Sequence, residues 1–156
     1  MDALDRRLLR EVQQDNAASA AALAERCNTT ETTALRRLNR LRRTGVIRSQ
    51  VAVVDPHKVG RGLMLFVRVR LEREDQQAVA AFVNDIVAQP DVQQFFFVTG
   101  TEDYVILLTL RSMEDYDRFV QEHLVSNPLV IMSDTNVVIR ALKLSLAVPI
   151  DEPESP

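Results

Sequence analysis

At 156 residues and 46% apolar content the chain is long enough for one ordinary core or two small ones, and its apolar runs, such as 78–83 and 104–108, fall far short of the ~20 residues a membrane span requires. One cysteine, Cys27, and two histidines, His57 and His123, exclude a disulfide framework and leave too few ligands for structural zinc. The net charge of -3 hides an asymmetry: residues 1–50 carry ten arginines against six acids, whereas the remainder is strongly acidic, which points to a polyanion-binding segment joined to a module of another kind.

Leu4, Leu8 and Val12, with Leu9 beside them, place one apolar stripe on a first helix ending near Asp15 and Asn16. Ser19 can cap a second, alanine-rich helix over 20–27, and Asn28-Thr29-Thr30 interrupts it. A third helix starts at or just after Thr30 and runs to about Arg43, where Thr44-Gly45 stops it. On a wheel of about 100° per residue, Ala34, Leu35, Leu38 and Leu41 share one side of this helix. Thr32, Thr33, Arg36, Asn39, Arg40 and Arg43 share the other. Residues 46–54 read as a strand or two-stranded wing, and 55–62, with Pro56, Gly60 and Gly62, reads as a linker.

Beyond the linker the period changes to two: Leu63, Leu65, Val67, Val69 and Leu71 alternate with Met64, Phe66, Arg68, Arg70 and Glu72. A helix over 75–88 carries Val79, Phe82, Val83 and Ile86 inward, and Pro90 closes it. Strands are expected over 92–99 and 104–110, joined by a tight hairpin at Gly100-Thr101-Glu102-Asp103. A helix over 113–124, capped by Ser112, and a long strand over 130–143 follow, with one more short strand possible at 144–150. The fold class is therefore α+β. Residues 1–54 form a winged helix-turn-helix, 63–150 a ferredoxin-like βαββαβ sandwich, and 151–156 a disordered tail.

Three short helices with a wing form a motif whose last helix enters the DNA major groove. The residues expected to touch double-stranded DNA are Thr30, Thr32, Thr33, Arg36, Arg37 and Arg40, with Arg42, Arg43 and Arg48 placed for the backbone. Arginine suits guanine edges and phosphates, threonine suits phosphate or a thymine methyl, and a helix N-terminus attracts phosphate. The bland reading of the same face is a solvated helix, and of the whole chain a sensor or assembly module without DNA binding. An enzyme is a further alternative, but His57 and His123 have no nucleophile at recognisable spacing, and Cys27 reads as a small buried apolar residue.

Leu4-Asp5, Leu8-Leu9, Leu23-Ala24, Thr30, Arg37, Leu41, Gly45-Val46-Ile47, Asp55-Pro56 and Gly60 fall where the Lrp/AsnC (feast/famine) regulators keep theirs. Val98 to Tyr104 resembles that family's Thr-Gly-x-x-Asp-Tyr hairpin, and Thr135 to Val138 followed by Lys143 resembles its last strand. Thr29 departs from the pattern, which often buries an apolar residue there. The lone cysteine fits a reducing cytoplasm, and no cofactor or metal is expected; the resemblance spans Leu4 to Ile150 and implies that the second half is a RAM-type amino-acid-sensing domain. It further implies homodimers paired through their sheets, assembled to tetramers or octamers, with the effector in a cleft between subunits. The Thr29-Thr30 turn and the Leu146–Ile150 ending look most like a branch that includes sulfur-amino-acid responders. Carried over residue by residue, the effector site involves Phe97, Thr99, Gly100, Thr101, Glu102 and Asp103, with Met113, Thr135, Asn136 and Val137 nearby. In that site Asp103 would face an ammonium group and main-chain amides a carboxylate. Read without the resemblance, Gly100 and Asp103 are ordinary hairpin residues.

Overall fold

A computed structural model describes residues 1–72 and 75–151; the tail expected over 152–156 lies outside the described residues. The chain divides into two compact units. The first comprises Met1–Ala52 together with the described residues 143–151, and the second comprises Val53–Leu142.

In the first unit α1 (Ala3–Gln14), α2 (Ala20–Arg26) and α3 (Glu31–Arg43) follow the sequence pattern closely. Each start is capped by a side chain: Asp2 accepts from the Asp5 amide, Ser19 from Ala22 and Thr30 from Thr33. Asp2 and Asp5 form a reciprocal capping box, because the Asp2 amide donates back to Asp5 Oδ2 at 3.1 Å. Leu8, Leu23, Ala24, Cys27, Ala34 and Leu38 make the shared core. Burial pushes the Cys27 thiol above its usual range. Gly45, at φ +76, provides the left-handed residue that ends α3, and its amide donates to the Arg42 carbonyl at 3.1 Å.

Three expectations for this unit are corrected. Leu35 is 47% exposed, because it sits at the flank of the apolar arc and not at its centre. The strand expected over 46–54 is absent: no neighbouring strand pairs with it, and side-chain bonds such as Arg42 Nε to Gln50 Oε1 at 2.9 Å hold it instead. Residues 144–150 form no strand and do not group with the sheet. They lie along α1, where Gln13 both donates to the Val148 carbonyl at 3.1 Å and accepts its amide at 2.8 Å. Arg10 and Arg6 extend this seam by donating to the carbonyls of Ile150 and Asp151.

The second unit opens with a short 3₁₀ turn (Pro56–Val59) inside the expected linker. It then builds β1 (Leu63–Leu71), α4 (Gln76–Ala88), β2 (Val92–Phe97), β3 (Tyr104–Leu110), α5 (Met113–Val120) and β4 (Val130–Val137). A π-helical turn, Gln121–Val125, continues α5. The sheet is antiparallel with spatial order β2-β3-β1-β4, as the βαββαβ pattern requires. Leu65, Val67 and Val69 of β1 and Ile106, Leu108 and Leu110 of β3 face Phe82, Ile86, Phe119 and Leu124 across one dry core. The last strand stops at Val137, six residues short of the expected end. Residues 139–143 make no backbone ladder bonds, and Ile139 and Leu142 are exposed. No described helix is long and apolar enough to cross a membrane.

Candidate nucleic-acid interface and effector pocket

The buried residues of α3 are Ala34, Leu38 and Leu41. On a helix of 3.6 residues per turn, the stripe directly opposite them is Thr32, Arg36, Asn39 and Arg43. All four are exposed. Among the described residues Arg36 makes no ion pair, and Arg48, beyond the helix, is likewise exposed. Thr33 is half-buried, and its hydroxyl accepts from Thr30 Oγ1 at 2.8 Å, so both threonines are engaged in starting the helix.

Arg40, which the wheel puts on the polar side, and Arg37, both expected to touch DNA, are held by acids of the protein itself. Both turn along α3 toward the start of α1. Arg37 Nη1 donates to Asp5 Oδ1 at 3.0 Å and also to Asp2, while Arg40 donates to Asp5 Oδ2. Asp5 is fully buried, whereas Arg37 is 20% and Arg40 46% exposed along the side chain. Burial alone would raise the Asp5 carboxyl. The Arg37 hydrogen bond, with the Asp2 amide and Arg40, outweighs it and leaves the group below its ordinary value. Asp2, bonded to Arg37 and to the Asp5 amide, is lowered to about 2, and the same two carboxylates raise Arg37. Arg37 is thus committed to the protein interior. The sequence reading gave Asp2 and Asp5 no partner on α3; the available signal was two acids three apart at the start of α1.

The second candidate site lies at the β2-β3 turn. Val98 donates to the Asp103 carbonyl at 2.8 Å, and Gly100 adopts φ +128 at the tip. Thr99, Gly100 and Thr101 are exposed, and Thr101 donates to the Glu102 carboxylate at 2.8 Å. Asp103, expected to face an ammonium group, is 2% exposed and accepts the Leu71 amide at 2.8 Å. Asp103 is one of the residues lining a cavity of about 240 Å³, with Leu71, Gln76, Val79, Phe97 and Tyr104. Phe97 packs on Tyr104, ring centres 5.3 Å apart, yet remains 71% exposed.

Within one chain the expected effector residues form two groups. Phe97 to Asp103 gather at the turn. Thr135, Asn136 and Val137 lie on the opposite edge strand, and Met113 starts α5, which follows the other end of β3. Tyr116 of α5 reaches the second group, its hydroxyl 2.6 Å from Thr135 Oγ1. The outer face of the sheet, away from the helices, carries Met64, Phe66, Phe96, Val105 and Leu107; Phe66 and Phe96 are exposed.

Residues 64–148 match the Lrp/AsnC ligand binding domain, and residues 1–48 match a winged helix-turn-helix DNA-binding domain. A helix-turn-helix transcriptional regulator of Sinorhizobium fredii is 35% identical over 151 residues, covering 97% of this chain and 89% of its own. The DNA-binding transcriptional activator DecR of Escherichia coli is 32% identical, covering 97% and 99%. Among solved structures, a Neisseria meningitidis transcriptional regulator in complex with L-Met superposes with a TM-score of 0.91 at 27% identity, covering 97% of each chain.

Proposed function

Because this chain belongs to the Lrp/AsnC family of transcriptional regulators, we propose that α3 reads an operator through Thr32, Arg36, Asn39 and Arg43 and that a small amino acid controls its assembly. The protein is a DNA-binding transcriptional regulator with a ligand-binding second half, in a family of regulators and not of enzymes. The observation that supports the groove-facing role is the exposed stripe on a helix whose opposite side is wholly buried. Arg48, exposed beyond the helix, supplies a phosphate contact.

The effector is an amino acid with an apolar side chain. The cavity beside the hairpin is lined by Leu71, Val79, Phe97 and Tyr104, with Asp103 as the one acid among the described lining residues, and the Neisseria relative is a complex with L-Met. The two groups of effector residues, one at the hairpin and one at Met113 and Thr135 to Val137, act together when they come from different subunits. The subunits pair through the outer sheet face and assemble further to tetramers or octamers in the cytoplasm. Effector binding then alters the spacing of recognition helices, which must match half-sites about 34 Å apart or multiples of that distance.

The test is binding of the full chain to its own upstream DNA over a salt series. Contacts to several phosphates require log affinity to fall steeply with log salt. A flat response would favour the alternative of a sensing or assembly module that does not bind DNA.

A further inference from the structure

Five arginines lie on α3, at 36, 37, 40, 42 and 43. Among the described residues only Arg37 and Arg40 face carboxylates, those of Asp2 at the N-cap of α1 and Asp5 in its first turn. Asp5 has neither oxygen to spare: Oδ1 accepts from Arg37, and Oδ2 accepts from Arg40 and from the Asp2 amide. Asp2 adds a second charge to Arg37. Arg42, by contrast, meets only the neutral oxygens of Asn39 and Gln50.

We propose that Asp2 and Asp5 are specificity-determining residues: they hold Arg37 and Arg40 from the protein side and withhold those charges from the phosphates of any duplex the helix meets. The inference rests on the reading that α3 enters the groove. Phosphate contacts strengthen binding to every sequence alike, whereas base contacts discriminate. A recognition helix with five free guanidiniums would gain most of its affinity without regard to sequence. Matching two of them internally lowers that common affinity and leaves the Thr32, Arg36, Asn39 and Arg43 stripe to decide where the protein stays. Because Asp5 is fully buried and satisfied by three donors, the restraint persists when DNA arrives.

The experiment compares the full chain with Asp2→Ser, Asp5→Asn, Arg37→Gln and the control Glu25→Gln, an exposed acid on α2 that makes no ion pair among the described residues. Serine at position 2 keeps the helix cap while removing the charge. Fluorescence anisotropy measures affinity over a salt series for two duplexes: one selected by the unaltered protein from a random pool, and one of shuffled sequence. Asp2→Ser and Asp5→Asn are expected to bind the shuffled duplex roughly 3- to 10-fold more tightly. The slope of log affinity against log salt should steepen by up to about 0.9 for each phosphate newly contacted. The ratio between the two duplexes should fall, while Arg37→Gln and Glu25→Gln change little. Equal weakening on both duplexes with an unchanged slope in Asp2→Ser would overturn the proposal by showing a purely structural role. An equal gain in Glu25→Gln would overturn it by showing general electrostatics, and a tenfold loss in Arg37→Gln with a salt slope shallower by about 0.9 and unchanged thermal unfolding by showing that Arg37 touches DNA. Absence of any salt-dependent binding by the unaltered protein would instead refute the groove reading itself.

Discussion

The Asp103 carboxylate accepts the Leu71 amide at 2.8 Å, while the Asp103 amide donates to the Val69 carbonyl at 2.9 Å. One residue therefore ties the β2-β3 turn onto the end of β1 from both its side chain and its backbone. Asp103→Ala leaves the buried Leu71 amide without its partner and should lower the unfolding free energy by about 1–3 kcal/mol. Urea denaturation followed by circular dichroism measures it. A change below the noise of that measurement would mean the carboxylate is not structural.

The Asp2 and Asp5 carboxyls both lie below their ordinary value of 3.8 in the folded chain, Asp2 at about 2. A depressed folded value stabilises the fold fully above the unfolded value, and that contribution is lost as pH falls through the folded one. Thermal stability of the first unit should therefore decline as pH is lowered from 3.8 toward about 2. Asp2→Ser should flatten part of that decline, which differential scanning calorimetry across the acid range would reveal.

Arg36 is exposed in the middle of the outward stripe and makes no ion pair among the described residues. Arg36→Ala should weaken operator binding by about 1–3 kcal/mol and relax preference at one base position if the guanidinium reads a base. Folding should be untouched. Anisotropy titrations on the selected duplex and its single-base variants provide the measurement.

Much of this was legible in the sequence because the physics is local. Ser19, Thr30 and Ser112 announce helix starts through their own side-chain caps, and the alternation from Leu63 to Leu71 fixes which face of β1 is covered. Relationships between distant segments were not legible. Arg37 and Arg40 lie on or near the polar side of the wheel, but their long side chains bend back to acids more than thirty residues earlier in the chain. Residues 46–54 and 144–150 have strand-like composition without a neighbouring strand, and composition alone cannot supply the ladder. Asp103 looked like a surface turn residue because nothing near it in sequence shows that the Leu71 amide needs an acceptor.

Phe66 and Phe96 are exposed on the outer sheet face, where Leu107 and Val105 lie between them. If that face pairs with a second copy, Phe66→Glu together with Phe96→Glu should convert the assembly to monomers at micromolar concentration, because burying two carboxylates there is strongly unfavourable. Analytical ultracentrifugation decides it. An unchanged sedimentation coefficient would place the interface elsewhere.

The seam between Gln13 and Val148 has a topological consequence. The chain leaves the first compact unit after Ala52 and re-enters it at Lys143, so in sequence the second unit is bracketed by two segments of the first. A fragment cut at residue 52 would strip α1 of the strand-like segment that lines it, and an isolated reader of DNA should be built by splicing that segment back through a short artificial connector.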